Sequence, residues 1–146
     1  MIACNKTGMA LEWLEGAQDD LHLAKLAICN AERPIFNLAC YHSQQAAEKA
    51  LKAFLTAHLT TPPPYIHDLR ALCGDCITFD TSFAIILKDC AELTPYNGAR
   101  YPGTPRLSET EAHSALEKAT KIVKFCHNLL VPAPLFANQP SAEPRP

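Results

Sequence analysis

An all-α, antiparallel up-and-down bundle of four or five helices is the fold that this sequence predicts. Three observations carry the expectation. Two long stretches repeat apolar residues at helical spacing, no stretch alternates as a half-buried strand does, and proline punctuates the segments between. Met9 to Asn30 places Ala10, Leu14, Ala17, Leu21, Ala24 and Ile28 on one stripe, edged by Trp13, with acids crowding its first half where the helix dipole favours them. The second helix is predicted from Pro34, suited to a first turn, to about Leu59, before Thr60-Thr61-Pro62-Pro63-Pro64. Its Ala39, Ala46, Ala50, Ala53 and Ala57 form a narrow small face that admits another helix closely. Ile35, Phe36, Leu38, Leu51, Phe54 and Leu55 widen the apolar surface, so this helix reads as central and as a candidate dimer surface.

His67 to Cys73 is expected to be a short helical segment, and Asp80 or Thr81 to cap a helix over Ser82 to about Leu93. Thr94 to Leu107 follows, fourteen residues with Pro95, Gly98, Pro102, Gly103 and Pro105 and no periodicity. Loops of that length in compact domains are usually functional or disordered. Ser108-Glu109-Thr110-Glu111 is a capping box, and Ala112, Ala115, Leu116, Ala119, Ile122, Val123, Cys126 and Leu130 form the face of the last helix, with Glu117 placed to pair with Lys121. Residues 1–130 are therefore expected to form the bundle, and residues 131–146, with five prolines, a disordered tail.

Composition narrows the function classes. With 146 residues, 48% apolar and 19% charged, the chain has core material for one domain and is not a disordered polymer. Its net charge of −2 excludes a protein coated in basic charge, so contact with RNA or a nucleotide needs a local patch. There is no membrane-spanning run and no secretory signal, which makes a cytoplasmic location the expectation. Seven cysteines at scattered positions suit free thiols. Cys73-Gly-Asp-Cys76 lacks the second pair of a zinc site, so no metal and no cofactor are expected. Five dispersed glycines leave no phosphate-cradling fingerprint.

Tyr41-His42-Ser43-Gln44-Gln45-Ala46-Ala47-Glu48-Lys49-Ala50-Leu51-Lys52-Ala53 resembles the helix-two signature of the HEPN family. Trp13 with Ala17 and Asp19-Asp20-Leu21, His67-Asp68-Leu69, and Ala99-Arg100-Tyr101-Pro102-Gly103 before Ser108 agree with it in order, over about residues 9–130. The resemblance implies a helical bundle that often forms a homodimer. It also implies a minimal nucleotidyltransferase as separate partner, commonly in a toxin–antitoxin pair, and nucleotide or RNA as ligand. Some branches are metal-independent endoribonucleases with an Arg and a His about four to six residues apart; others bind nucleotides or act without known catalysis, which leaves a non-catalytic oligomerisation partner as a further alternative.

The catalytic candidates are thus Arg106 and His113, with six residues between them. A His and an Arg doubled across a dimer supply base, acid and a cation for the phosphorane. Leu107 stands where the nuclease branch usually has Asn, Asp or His, and Ala115 where it often has Tyr. The alternative for His113 is an ordinary residue at a helix boundary, and for Arg106 a loop cation. Arg100 and Tyr101 are binding candidates, a guanidinium fork for phosphate beside a ring for a base, or else an internal clamp of the loop. His42, Gln45 and Lys49 share an edge of the alanine face, where they line a ligand cleft or bond across helices.

Overall fold

The computed structural model describes residues 2–30 and 32–131, with side chains from residue 6 onward. Among them are five α-helices and no strand: α1 (Ile2–Cys29), α2 (Phe36–His58), α3 (Leu69–Ile77), α4 (Leu87–Leu93) and α5 (Glu109–Leu130). Two 3₁₀ turns, Thr81–Ile86 and Thr94–Gly98, flank α4. The tail expected from residue 131 lies, from Pro132 on, outside the described residues. No described helix is long and apolar enough to cross a membrane.

α2 is the central rod. α1 runs antiparallel along it, as Asp20 opposite His42 and Trp13 beside Lys52 record. Alanines make the close approach possible. Ala17 and Ala24 of α1, Ala39, Ala46, Ala50 and Ala53 of α2, and Ala112 and Ala119 of α5 are fully buried. Leu51, Leu55, Leu69, Leu72, Phe83, Ile86, Leu93 and Ile122 fill the space that the alanines leave. Each such side chain contributes about 1.5–3 kcal/mol relative to exposure. Phe83 joins three elements, its ring 4.5 Å from Phe54 of α2 and 4.9 Å from Phe125 of α5.

Several boundaries differ from the sequence expectation, each for a local reason. α1 begins seven residues before Met9, at Ile2, since nothing between them breaks a helix. α2 begins at Phe36 rather than Pro34, because Ile35 first turns its N–H to the Ala27 carbonyl (2.9 Å) and closes the α1–α2 turn. α3 starts after Asp68, whose carboxylate accepts from the Arg70 and Ala71 amides, and continues past Cys73 to Ile77. The helix expected over Ser82–Leu93 opens as a 3₁₀ turn capped by Asp80 and becomes α-helical only at Leu87. The first five residues of the supposed loop are themselves a 3₁₀ turn. At α5 the capping box is present in both directions, Ser108 accepting from the Glu111 amide and Glu111 from the Ser108 amide. Lys121 reaches Asp89 of α4 (3.0 Å) rather than Glu117, and Lys118 reaches Glu92 (3.2 Å), so α5 spends its cations on holding α4.

Candidate functional site

The loop that leads into α5 is shaped by its turn chemistry. Gly103 has φ +88°, the left-handed value that glycine adopts without strain, and follows Pro102 as in a type II turn closed by the Thr104 amide on the Tyr101 carbonyl. Thr104 donates its hydroxyl to the Gly98 carbonyl (2.9 Å). Asn37, on the first turn of α2, ties the far side. Its amide donates to the Pro105 carbonyl (3.1 Å), and its oxygen accepts the Leu107 amide (2.9 Å).

This docking encloses a groove of about 620 Å³ between the α1–α2 turn and the loop. Arg33, Arg100 and Arg106 line it, together with Tyr101, and no carboxylate does. The Arg33 and Arg106 guanidiniums are exposed and have no side-chain partner among the described residues. Arg100 is held in place: its guanidinium lies 4.7 Å from the Tyr41 ring and 4.6 Å from the Tyr101 ring, and donates to the Tyr101 hydroxyl at 2.7 Å. That hydrogen bond pushes the arginine's already high pKa further up. Arg100 and Tyr101 therefore hold each other in place and both line the groove. Arg33 had no local signal in the sequence as a member of this groove; only the fold brings it to the same groove as Arg100, and the Tyr41 ring against the Arg100 guanidinium.

The remaining candidates are distributed differently. Arg106 is in the arginine groove, whereas His113 lines a second groove of about 950 Å³ against Ile85, Leu116 and Phe125, and pairs with Glu109 at 3.5 Å. Within one chain, then, Arg106 and His113 face different cavities. His42 and Lys49 converge on Asp20 of α1, at 2.8 and 2.7 Å. Asp20 Oδ2 has no well-aligned hydrogen bond, and the Lys49 ammonium meets its charge. Gln45 turns away from that pair, donating to Gln44 (2.8 Å) and to Asn97 (3.3 Å) of the 3₁₀ turn before the loop.

A buried polar cluster lies further along α2. Glu48 and Lys52 are 5% and 3% exposed and paired at 3.0 Å. His67 Nδ1 meets the same carboxylate at 3.1 Å, and Gln44 bridges it to the His67 carbonyl. The Lys52 ammonium is also 5.7 Å from the rings of both Trp13 and Tyr65. Its i,i+4 spacing on Glu48 was visible in the sequence; its burial was not.

The cysteines are free thiols wherever their side chains are described. Cys73, Cys76, Cys90 and Cys126 share the core between α3, α4 and α5. Cys73 and Cys76 donate to the Phe83 and Leu51 carbonyls. A mutual hydrogen bond lowers the pKa of Cys73 and raises that of Cys90. Among the described residues, no group of three or more His, Cys, Asp or Glu is arranged to hold a metal ion.

Comparison with known proteins places this arrangement. The family model of the HEPN domain matches residues 10–129. Among solved structures, the chain is similar to TT1696 from Thermus thermophilus, with 26% identity, TM-score 0.68, and coverage of 82% of this chain and 96% of that one. It is also similar in fold to ST0689, an archaeal HEPN homologue, with 23% identity, TM-score 0.62, and coverage of 83% and 97%. No curated protein gives a significant match.

Proposed function

The chain belongs to the HEPN domain family, and from that premise we propose that it is a binding module for nucleotide or RNA, with the arginine groove as its site. The observation that carries this reading is the lining of that groove: three arginines, the exposed Tyr101 and no carboxylate residue. Guanidinium forks take phosphate oxygens in bidentate hydrogen bonds, each worth about 1.5–3 kcal/mol. Tyr101, 56% exposed, offers a face for a base. The net charge of −2 makes this local concentration of cation more selective, because the rest of the surface does not compete for phosphate.

Binding is favoured over ribonuclease activity because Leu107 and Ala115 stand where the nuclease branch usually carries a polar residue and often a tyrosine. A homodimer and a separately encoded minimal nucleotidyltransferase in a toxin–antitoxin module belong to the same proposal; family membership, rather than any surface described above, supports them.

Titration with ATP and with a short RNA, at two salt concentrations, tests the reading. Binding should weaken with salt, and Arg33→Ala, Arg100→Ala and Arg106→Ala should each lower affinity about tenfold, the loss of one charged hydrogen-bonding group. Absence of binding, or binding indifferent to all three arginines, removes the assignment. RNA incubated in EDTA with wild type and His113→Ala reports on cleavage, and His113-dependent cleavage would restore the enzyme reading.

A further inference from the structure

We infer that the ligand path extends from the arginine groove along one stripe of α2 to a second stacking ring, Tyr65, so that the ligand is a single strand of several nucleotides. This rests on the binding reading above and adds to it a second subsite and a ligand length.

Tyr41, Gln45, Glu48 and Lys52 follow one another at steps of four, three and four, which places them on one stripe of the helix. The stripe spans about 16 Å at 1.5 Å per residue. Each position is met by a group from another element. Arg100 covers Tyr41 at 4.7 Å, Asn97 faces Gln45 at 3.3 Å, His67 contacts Glu48 at 3.1 Å, and Tyr65 covers Lys52 at 5.7 Å. Those partners form a second row beside the stripe, running from the arginine groove along α2 as far as Lys52.

Each end of the row carries a ring over a cationic side chain: Tyr101 lies 4.6 Å from the exposed Arg100 guanidinium, and Tyr65 lies 5.7 Å from the Lys52 ammonium, which is buried and paired with Glu48. Both rings are exposed, Tyr65 to 90%, which is unusual for so large an apolar surface. Pro62, Pro63 and Pro64 stiffen the segment that presents it. Between the ends stand amides and an imidazole, Gln45, Asn97 and His67, all partly exposed and able to meet base edges. The carboxylate on the stripe, Glu48, is buried and its charge is met by the Lys52 ammonium, so it does not repel phosphate. Asp68, next to His67, gives its oxygen to the α3 amides.

A cationic groove continued by an open ring is a pattern that holds single strands, whose unstacked bases reach the rings as duplex bases do not. At about 3.4 Å per stacked nucleotide, 16 Å corresponds to about five nucleotides, fewer if the strand is extended.

Fluorescence anisotropy with labelled oligouridylate of about eight nucleotides, and competition by a uridylate dinucleotide and by an RNA duplex, tests this. The oligomer should bind at least about tenfold more tightly than dinucleotide or duplex. Tyr65→Ala should weaken the oligomer about fivefold or more and leave the dinucleotide unchanged, while Tyr65→Phe retains wild-type affinity. Arg106→Ala should weaken both ligands. If Arg106→Ala weakens binding but neither length nor Tyr65→Ala matters, the extended path is wrong and the arginine groove stands. If neither ligand binds wild type, both readings fail. Displacement by polyglutamate as effective as by RNA would overturn the inference in favour of an acidic protein partner.

Discussion

Replacing Lys52 by Met should strand a carboxylate in the core of α2. The Lys52 ammonium is 3.0 Å from Glu48, with both residues 5% exposed or less. Methionine keeps the length of the stem and its packing against Trp13, so the perturbation is mainly the loss of charge. Removing one partner of a buried ion pair costs about 3–5 kcal/mol. Here Glu48 retains His67 at 3.1 Å and Gln44 at 3.4 Å, which places the expected cost at the lower end, about 3 kcal/mol. For a domain of this size that corresponds to a fall in Tm of about 10 °C. Urea denaturation followed by circular dichroism measures the change in midpoint. The double variant Glu48→Gln/Lys52→Met removes the stranded charge and should recover at least about half of the loss. A single variant that costs under about 1 kcal/mol, or a double variant as unstable as the single, refutes the reasoning.

Ser108→Ala removes the oxygen that caps α5 and should cost about 1 kcal/mol, read by denaturant midpoint, with Ser108→Asp close to wild type. Asn37→Ala cuts both ties between α2 and the loop; amide exchange at Leu107 should accelerate and ligand affinity fall while α5 keeps its protection. Stability should decline between about pH 9 and 12. Burial, aided by the Glu111 charge, raises Cys40 from 9.0 to about 12, and burial likewise pushes Cys76 and Cys126 up. Above pH 9 the unfolded chain therefore releases protons that the folded chain keeps, so the stabilising effect is complete below pH 9 and is lost as pH rises through the folded values. Thermal unfolding at pH 8 and at pH 10 should show the fall, and Cys40→Ala should make it shallower.

Much of the bundle was legible in the sequence because helix periodicity and caps are local. The stripe from Ala10 to Ile28, the alanine face of α2 and the Ser108 box each fix an element through residues within a few turns of one another. Boundaries shifted where a distant group intervened, as when the Ala27 carbonyl took the Ile35 amide and delayed α2 to Phe36. Arg100 and Tyr101 could be singled out as a cation beside a ring, since adjacency in sequence is adjacency in space.

What tertiary structure alone decided is which polar groups share a surface and which are buried. Arg33, Arg100 and Arg106 come from the two sides of a 620 Å³ groove where Asn37 ties the loop to α2. His42, Gln45 and Lys49 share an edge by spacing, yet the position of Asp20 takes two of them and Asn97 the third. Arg106 and His113 are near in sequence, but the start of α5 turns the histidine toward another groove. Helical period specifies the direction of a side chain from its own axis; which partner lies there depends on how the axes pack, and that information is spread over the whole chain.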